Sequence, residues 1–138
     1  MPRPSPQVIF YQVGTPKAKI ERLCNTSLSH FEKKKPLLVL TDSEKTSLYI
    51  DELLWRYPLD SFLPHTRANG EIVRISHKIE KDFDGSALFN LTRSPLIQLK
   101  ILVKTIYEFE DLTTPEKAKS FAPRYKAYSG AGCRIVSL

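Results

Sequence analysis

Apolar positions along this chain fall alternately into short continuous runs and into stripes at helical spacing. Val8-Ile9-Phe10-Tyr11-Gln12-Val13 is a β-branched and aromatic run closed by Gly14, the pattern of a buried strand. Thr15 and Pro16 follow as a helix N-cap and first helical residue. Ile20, Leu23, Cys24, Ser27, Leu28 and Phe31 then recur on one helical face. Lys33, Lys34 and Lys35 stand where that helix ends, favourable for its dipole, and Pro36 blocks continuation. Leu37-Leu38-Val39-Leu40 is a second apolar strand. Thr41 and Glu44 have capping-box spacing, with Asp42 a competing cap, and a helix is predicted from about Ser43 to about Trp55, before Pro58. Two apolar strands, each leading directly into an amphipathic helix, predict βαβ units on a mainly parallel sheet.

The middle is less regular. Asn69-Gly70 marks a turn and Ile72-Val73-Arg74-Ile75 a short strand; Asp82, Asp84 and Gly85 mark another turn before the strand Ala87 to Leu91. From Ile97 to Phe109 strand and helix patterns compete, and a strand over Lys104 to Phe109 is the reading adopted. A last helix starts near Thr113 or Thr114, with Pro115 in its first turn and Glu116 completing a capping box with Thr113. Ala118, Phe121, Ala122, Tyr125 and Tyr128 form its apolar face, and Pro123 must kink or divide it.

Composition narrows the class. A chain of 138 residues, 41% hydrophobic and 26% charged, fits one ordinary globular domain. A proline-rich lead-in over residues 1–6 is expected to be extended or flexible, and residues 7–138 to form the domain. No run approaches the roughly 20 apolar residues of a membrane span, and the N-terminus does not resemble a signal peptide. Cys24 and Cys133 form no metal-binding pair, and Cys24 falls on a helix's apolar stripe. A cytoplasmic location is the expectation. The net charge of +6 favours an acidic partner, whether nucleic acid, an anionic surface or an acidic protein segment.

An alternating α/β chain invites a nucleotide-binding reading, which the junctions oppose. Gly14-Thr15-Pro16-Lys17 holds neither glycine-rich fingerprint, and Thr41-Asp42-Ser43 has no glycine at all, so no backbone cradle for a pyrophosphate is predicted. His30, His65 and His77 show no metal-ligand spacing, and no nucleophile motif is present, so neither metal, cofactor nor catalytic residue is assigned. His30, near a helix end, is read as stabilising the dipole. The chain is expected not to be an enzyme.

Two strings carry more. Leu53-Leu54-Trp55-Arg56-Tyr57-Pro58-Leu59-Asp60-Ser61-Phe62-Leu63-Pro64-His65 pairs a helix ending in Leu-Trp with a proline-bearing link and Ser-Phe-x-Pro-His. Arg124-Tyr125-Lys126-Ala127-Tyr128 precedes Gly130, Ala131 and Gly132. Both, with the weaker Phe89-Asn90-Leu91, resemble the chi subunit family of the bacterial DNA polymerase III clamp loader, in order and spacing from Val8 to Ile135. The resemblance implies a three-layer α/β/α domain with a Rossmann-like sheet and no nucleotide-binding loop. It implies a non-enzymatic adaptor that binds the acidic C-terminal tail of single-stranded-DNA-binding protein and links it to the clamp loader through psi or another subunit. Contact with DNA is then mainly indirect, and the isolated chain is a monomer.

On that resemblance Tyr125 is a wall of the tail slot and Lys126 a partner for its acidic groups. Arg124 lies in the same motif, and Lys119, seven residues before Lys126, shares its ridge on an ideal helix. The alternative is an amphipathic core helix with solvated charges. Ala122 stands where the family carries a cation, and Pro123 follows it; weaker or shifted tail binding is expected, with Lys119 able to compensate. Trp55 and Phe62 match the surface used toward psi, although Trp55 at a helix end is equally readable as core. Pro64 is read as fixing the loop. The rival class is a basic module acting directly on single-stranded DNA; the sequence has no dense aromatic platform for stacking bases, and Tyr107, Phe109, Tyr125 and Tyr128 are the rings that could stand in for one.

Overall fold

Leu37 to Leu40 is β2, buried at every residue because it has a strand on each side and helices or loop above and below. The computed structural model describes residues 6–56, 65–66, 72–79, 87–97 and 103–138. β1 (Gln7–Val13), β4 (Val73–Ser76), β5 (Ala87–Asn90), β6 (Thr105–Asp111), β7 (Arg134–Ser137) and the two-residue β3 (His65–Thr66) complete a seven-stranded sheet in the order β3-β4-β2-β5-β6-β1-β7. Every pairing is parallel, and the longest, β1 with β6, runs in register from Gln7–Thr105 to Val13–Asp111. The strand adopted around Lys104 to Phe109 is therefore β6, shifted by a residue or two. β3 and β7 were not anticipated. The turn and loop readings over residues 57–64, 67–71 and 80–86, like the prolines at positions 2 and 4, lie outside the described residues.

Strand alternation sends neighbouring side chains to opposite faces, so each strand feeds two cores. Tyr11, Leu37, Val39 and Phe89 meet Leu23 and Cys24 of α1 (Pro16–Glu32) and Ile50, Leu53 and Leu54 of α2 (Glu44–Arg56). Phe10, Leu38, Leu40, Leu88 and Ile106 meet Tyr128 and Phe121 of α4 (Phe121–Gly130) on the other face. Each fully buried Leu or Phe contributes roughly 2 kcal/mol. The result is the expected α/β/α sandwich. Cys24 and Cys133 pack in different cores, and burial pushes the Cys24 thiol up to about 11.

Helix starts obey local chemistry, with some corrections. Thr15 Oγ1 accepts the Ala18 N–H at 3.1 Å, as its position predicts. For α2 the cap is neither Thr41 nor Asp42 but Ser43, whose Oγ takes the Thr46 N–H at 3.2 Å. Thr41 is buried and instead donates to the Ser43 carbonyl. The C-terminal helix divides. Its first piece, α3 (Pro115–Lys119), is capped by Thr114 and not Thr113, and α4 starts after Ser120. Pro123 is the third residue of α4, where a helix needs no intrahelical N–H bond, so the break falls one turn upstream of the proline. Gly132, at φ 82°, ends α4 with the Cys133 N–H reaching back to the Tyr128 carbonyl at 3.1 Å. Lys34 performs the same task after α1 at φ 56°, an uncommon place for a residue with a side chain.

His30 does not serve the dipole. It is 8% exposed, and its Nδ1 faces the Lys35 carbonyl at 2.9 Å, which can only accept, so Nδ1 carries the proton. Nε2 then accepts from the Tyr107 hydroxyl at 2.7 Å. Burial, with Lys33 and Lys35 nearby, holds the ring below its ordinary pKa of 6.5 against the help of the Lys35 carbonyl. The unfolded chain therefore takes up this proton first as pH falls below about 6.5, and stability is lost in that direction. Thermal melting should show Tm falling between pH 7 and pH 5, with a shallower fall in His30→Asn; an equal slope in both proteins would remove His30 as the cause.

Candidate functional site at the C-terminal helix

The site is built around a carboxylate that strand alternation forces inward. Ile106 and Glu108 of β6 share the face beneath α4, and Glu108 is 1% exposed. An unpaired charge there would cost several kcal/mol. Three neighbouring side chains prevent that. Arg124 Nη2 donates to Oε1 at 2.6 Å, Asn90 Nδ2 donates to Oε2 at 2.8 Å, and the Tyr128 hydroxyl donates to the same oxygen. Asn90, at the end of β5, also donates to the Ser94 carbonyl, and its own oxygen accepts from the Thr92 N–H and hydroxyl. The Leu96 N–H closes the set on the Tyr128 oxygen at 2.9 Å. Burial pushes the Glu108 carboxyl up, and Arg124 and the two hydrogen-bond donors act against it. Burial and the facing carboxylate push the Tyr128 phenol up too, so it remains a donor.

This network decides which row of α4 faces inward. Phe121, Arg124 and Tyr128, at spacing i, i+3, i+7, face the sheet, whereas Ala122 is exposed and Tyr125 reaches it only at its edge. The apolar face read from sequence is thus corrected: Ala122 is exposed and Tyr125 is 43% exposed, because the row turned toward the sheet is the one that carries Arg124 and Tyr128 to Glu108. Tyr125 leans on the rings of Phe121 at 5.7 Å and Phe10 at 6.4 Å between centroids, leaving its outer side in solvent. Lys126 is exposed, and its helical neighbours at four residues either way are Ala122 and Gly130. Small neighbours leave this exposed surface of α4, the shelf, open around Lys126, with the Tyr125 ring at the preceding position.

The candidates of the sequence reading therefore separate. Tyr125 and Lys126 are both exposed, at adjacent positions of α4. Arg124, in the same motif, is 9% exposed with its guanidinium on Glu108, so it supports the helix from below and is not a free cation. Lys119 is exposed at the end of α3, and the seven-residue ridge it would share with Lys126 is interrupted at Ser120. Among the described residues neither Lys119 nor Lys126 makes an ion pair. Trp55 is the penultimate residue of α2, its side chain outside the described set, and Phe62 lies outside it altogether. Two of the stacking candidates, Tyr107 and Phe109, pack among Tyr11, Phe89 and His30. Sequence reasoning missed the roles of Glu108 and Asn90; a glutamate between Tyr107 and Phe109, on the same strand face as Ile106, was the available signal.

A profile of the DNA polymerase III chi subunit (HolC) matches residues 6–136. The chain belongs to the chi family. No curated protein matches it significantly. Membership makes this chi-family chain an accessory subunit of the replicative DNA polymerase by kind, whose partners are other components of the replisome. Among its described residues no helix is long and apolar enough to cross a membrane, and no group of three or more acidic, histidine or cysteine side chains could hold a metal ion.

Removing Glu108 leaves Arg124 buried without a counter-charge, so Glu108→Ala should lower the unfolding free energy by about 3 kcal/mol in urea titration. The double variant Glu108→Met, Arg124→Met should recover much of that loss, since an apolar pair of similar volume replaces the ion pair. An unchanged midpoint for Glu108→Ala would mean that the network does not hold α4.

Proposed function

We propose that this chi-family protein is a non-enzymatic adaptor whose α4 shelf receives the acidic C-terminal tail of single-stranded-DNA-binding protein. The observation that carries the reading is the division of labour on α4. Arg124 and Tyr128 are anchored inward, and that anchoring presents Tyr125 and Lys126 outward on a rigid helix. A tail ending in an apolar residue with a free carboxylate needs an apolar wall beside a fixed cation. Tyr125, backed by Phe121, supplies the wall; Lys126 supplies the cation, with Lys119 available from α3. The net charge of +6 speeds encounter with an acidic segment. Arg124 acts here by holding the shelf and not by touching the tail.

Titration calorimetry with the last ten or so residues of the cognate single-stranded-DNA-binding protein should give a micromolar complex, about −8 kcal/mol. Tyr125→Ala and Lys126→Glu should each weaken it about tenfold, roughly 1.4 kcal/mol. Binding unaffected by Lys126→Glu removes this site. Tight binding to bare single-stranded DNA, falling steeply with salt, favours direct action on phosphates instead.

The second contact proposed is Trp55 with Phe62, facing psi or another clamp-loader subunit and working in the cytoplasm. An aromatic pair near one loop has the composition of an interface hot spot. Truncating both to alanine should reduce binding to that subunit at least a hundredfold in a pull-down titration while leaving tail binding intact; undiminished binding moves the interface elsewhere.

A further inference from the structure

The carboxyl ends of the strands border a crevice of about 710 Å³ whose described lining includes neither Tyr125 nor Lys126. Its origin is topological. β1 and β2 lead into α1 and α2 on one face, whereas β5 and β6 lead into the 91–97 segment and α3, whose neighbours Leu96 and Phe121 pack on the other. Chain segments diverging from adjacent strand ends leave a gap outside the sheet, the usual place for ligands in open α/β folds. Ile20 and Leu23 of α1 form one wall and Ile50 and Leu53 of α2 the other, over Leu91 and Phe109.

The charges around it are unequal in availability. Four cations and three carboxylates line the crevice. Lys19 is held by Asp111 at 2.7 Å and Arg124 by Glu108 at 2.6 Å. Arg93 and Lys117 make no ion pair among the described residues, and only Glu116 opposes them from the lining. Asp42, which takes the Arg93 backbone N–H at 3.3 Å, stands outside the lining. The first turn of α1 holds no acidic residue.

The helix starts offer this rim fewer backbone donors than usual: Pro16 has no N–H, Thr15 takes the Ala18 N–H, and Ser43 takes the Thr46 N–H. What remains is an apolar trough with two free side-chain cations and the half-exposed ring of Tyr49 at its mouth. We propose that this crevice is a second peptide site, taking an internal segment of a partner protein in which an apolar side chain lies next to a carboxylate. The apolar residue enters between α1 and α2, and the carboxylate meets Arg93 or Lys117. The site is independent of the tail reading, since it shares no surface side chain with Tyr125 and Lys126.

The probe is a blocked tetrapeptide, acetyl-Glu-Leu-Asp-Phe-amide, which lacks the free terminal carboxylate that the shelf requires. Titrated into the 15N-labelled full chain, it should shift the amides of Tyr49, Leu91, Thr92, Arg93 and Lys117 saturably, with Kd on the order of 1 mM. Arg93→Glu should weaken binding at least tenfold, Tyr49→Ala measurably, and Lys126→Glu not at all. A control peptide with lysines in place of both acidic residues should not saturate. The proposal is overturned by shifts confined to α4, by equal binding of the lysine control, or by unchanged binding to Arg93→Glu. It is equally overturned if no amide around the crevice responds.

Discussion

A carboxylate at 1% exposure inside a strand is the constraint from which the arrangement on this face of the sheet follows. Glu108 occupies a position where Ile106 shows that an apolar side chain would fit, and a charge there is tolerable only with its counter-charge and donors in place. Arg124 and Tyr128 provide these from successive turns of one helix, and Asn90 provides another from the neighbouring strand. Because the three partners come from two turns of α4 and from the end of β5, satisfying the carboxylate fixes the rotation of α4, its height over the sheet and the path of residues 91–97 together. An apolar pair would fill the space but would not choose among rotations of α4 that bury different apolar residues. That is the sense in which a buried ion pair contributes specificity more than stability.

Backbone chemistry reinforces the choice. Pro123 lacks the N–H that a continuous helix would give to the Lys119 carbonyl, so the chain breaks at Ser120 and α4 can take the rotation Glu108 requires without carrying α3 along. The Ser120 hydroxyl and N–H both turn back to the Lys117 carbonyl, which satisfies one of the groups the break frees. On the opposite face no carboxylate among the described residues is buried in this way. There Tyr11 stacks on Tyr107, Phe89 and Phe109 pack tilted against them, and His30 joins them as a neutral ring. One core is thus specified by a polar network and the other by aromatic packing.

The strands that read clearly from sequence are those buried on both faces. Leu37 to Leu40 and the run from Val8 are continuous because a parallel sheet under two layers of helix offers no polar side. β7 was legible in principle, since Ile135 and Val136 follow a glycine, but four residues with exposed ends give little pattern. β3 has two residues and no pattern at all. Caps were misplaced by a residue or two because Thr41, Asp42 and Ser43 all carry suitable oxygens, and only the buried environment of Thr41 withdraws it. His30 was misread for a similar reason: a position near a helix end suggests a dipole, whereas the Tyr107 hydroxyl that engages it lies 77 residues away in sequence. The inward row of α4 was the most consequential error. Amphipathicity counts Tyr125 as apolar and Arg124 as polar, and nothing local to the helix reveals Glu108.

The string Arg-Tyr-Lys-x-Tyr therefore mixes two kinds of residue, and that bears on how departures from it are weighed. Arg124 and Tyr128 belong to the buried network, so losing either would unsettle the fold. Tyr125 and Lys126 belong to the surface, so losing either would leave the fold intact. Ala122, where the family carries a cation, is exposed and lies one helical turn before Lys126. Its missing charge is thus missing from the shelf and not from the core. Pro123 sits where α4 has no intrahelical N–H bond to lose. Both departures leave the Glu108 network untouched, and so they leave the presentation of Tyr125 and Lys126 untouched as well. In the proposed reading they reduce the charge available to an acidic tail without altering the geometry that receives it, which makes the protein a weaker tail binder of the same design and not a different kind of protein.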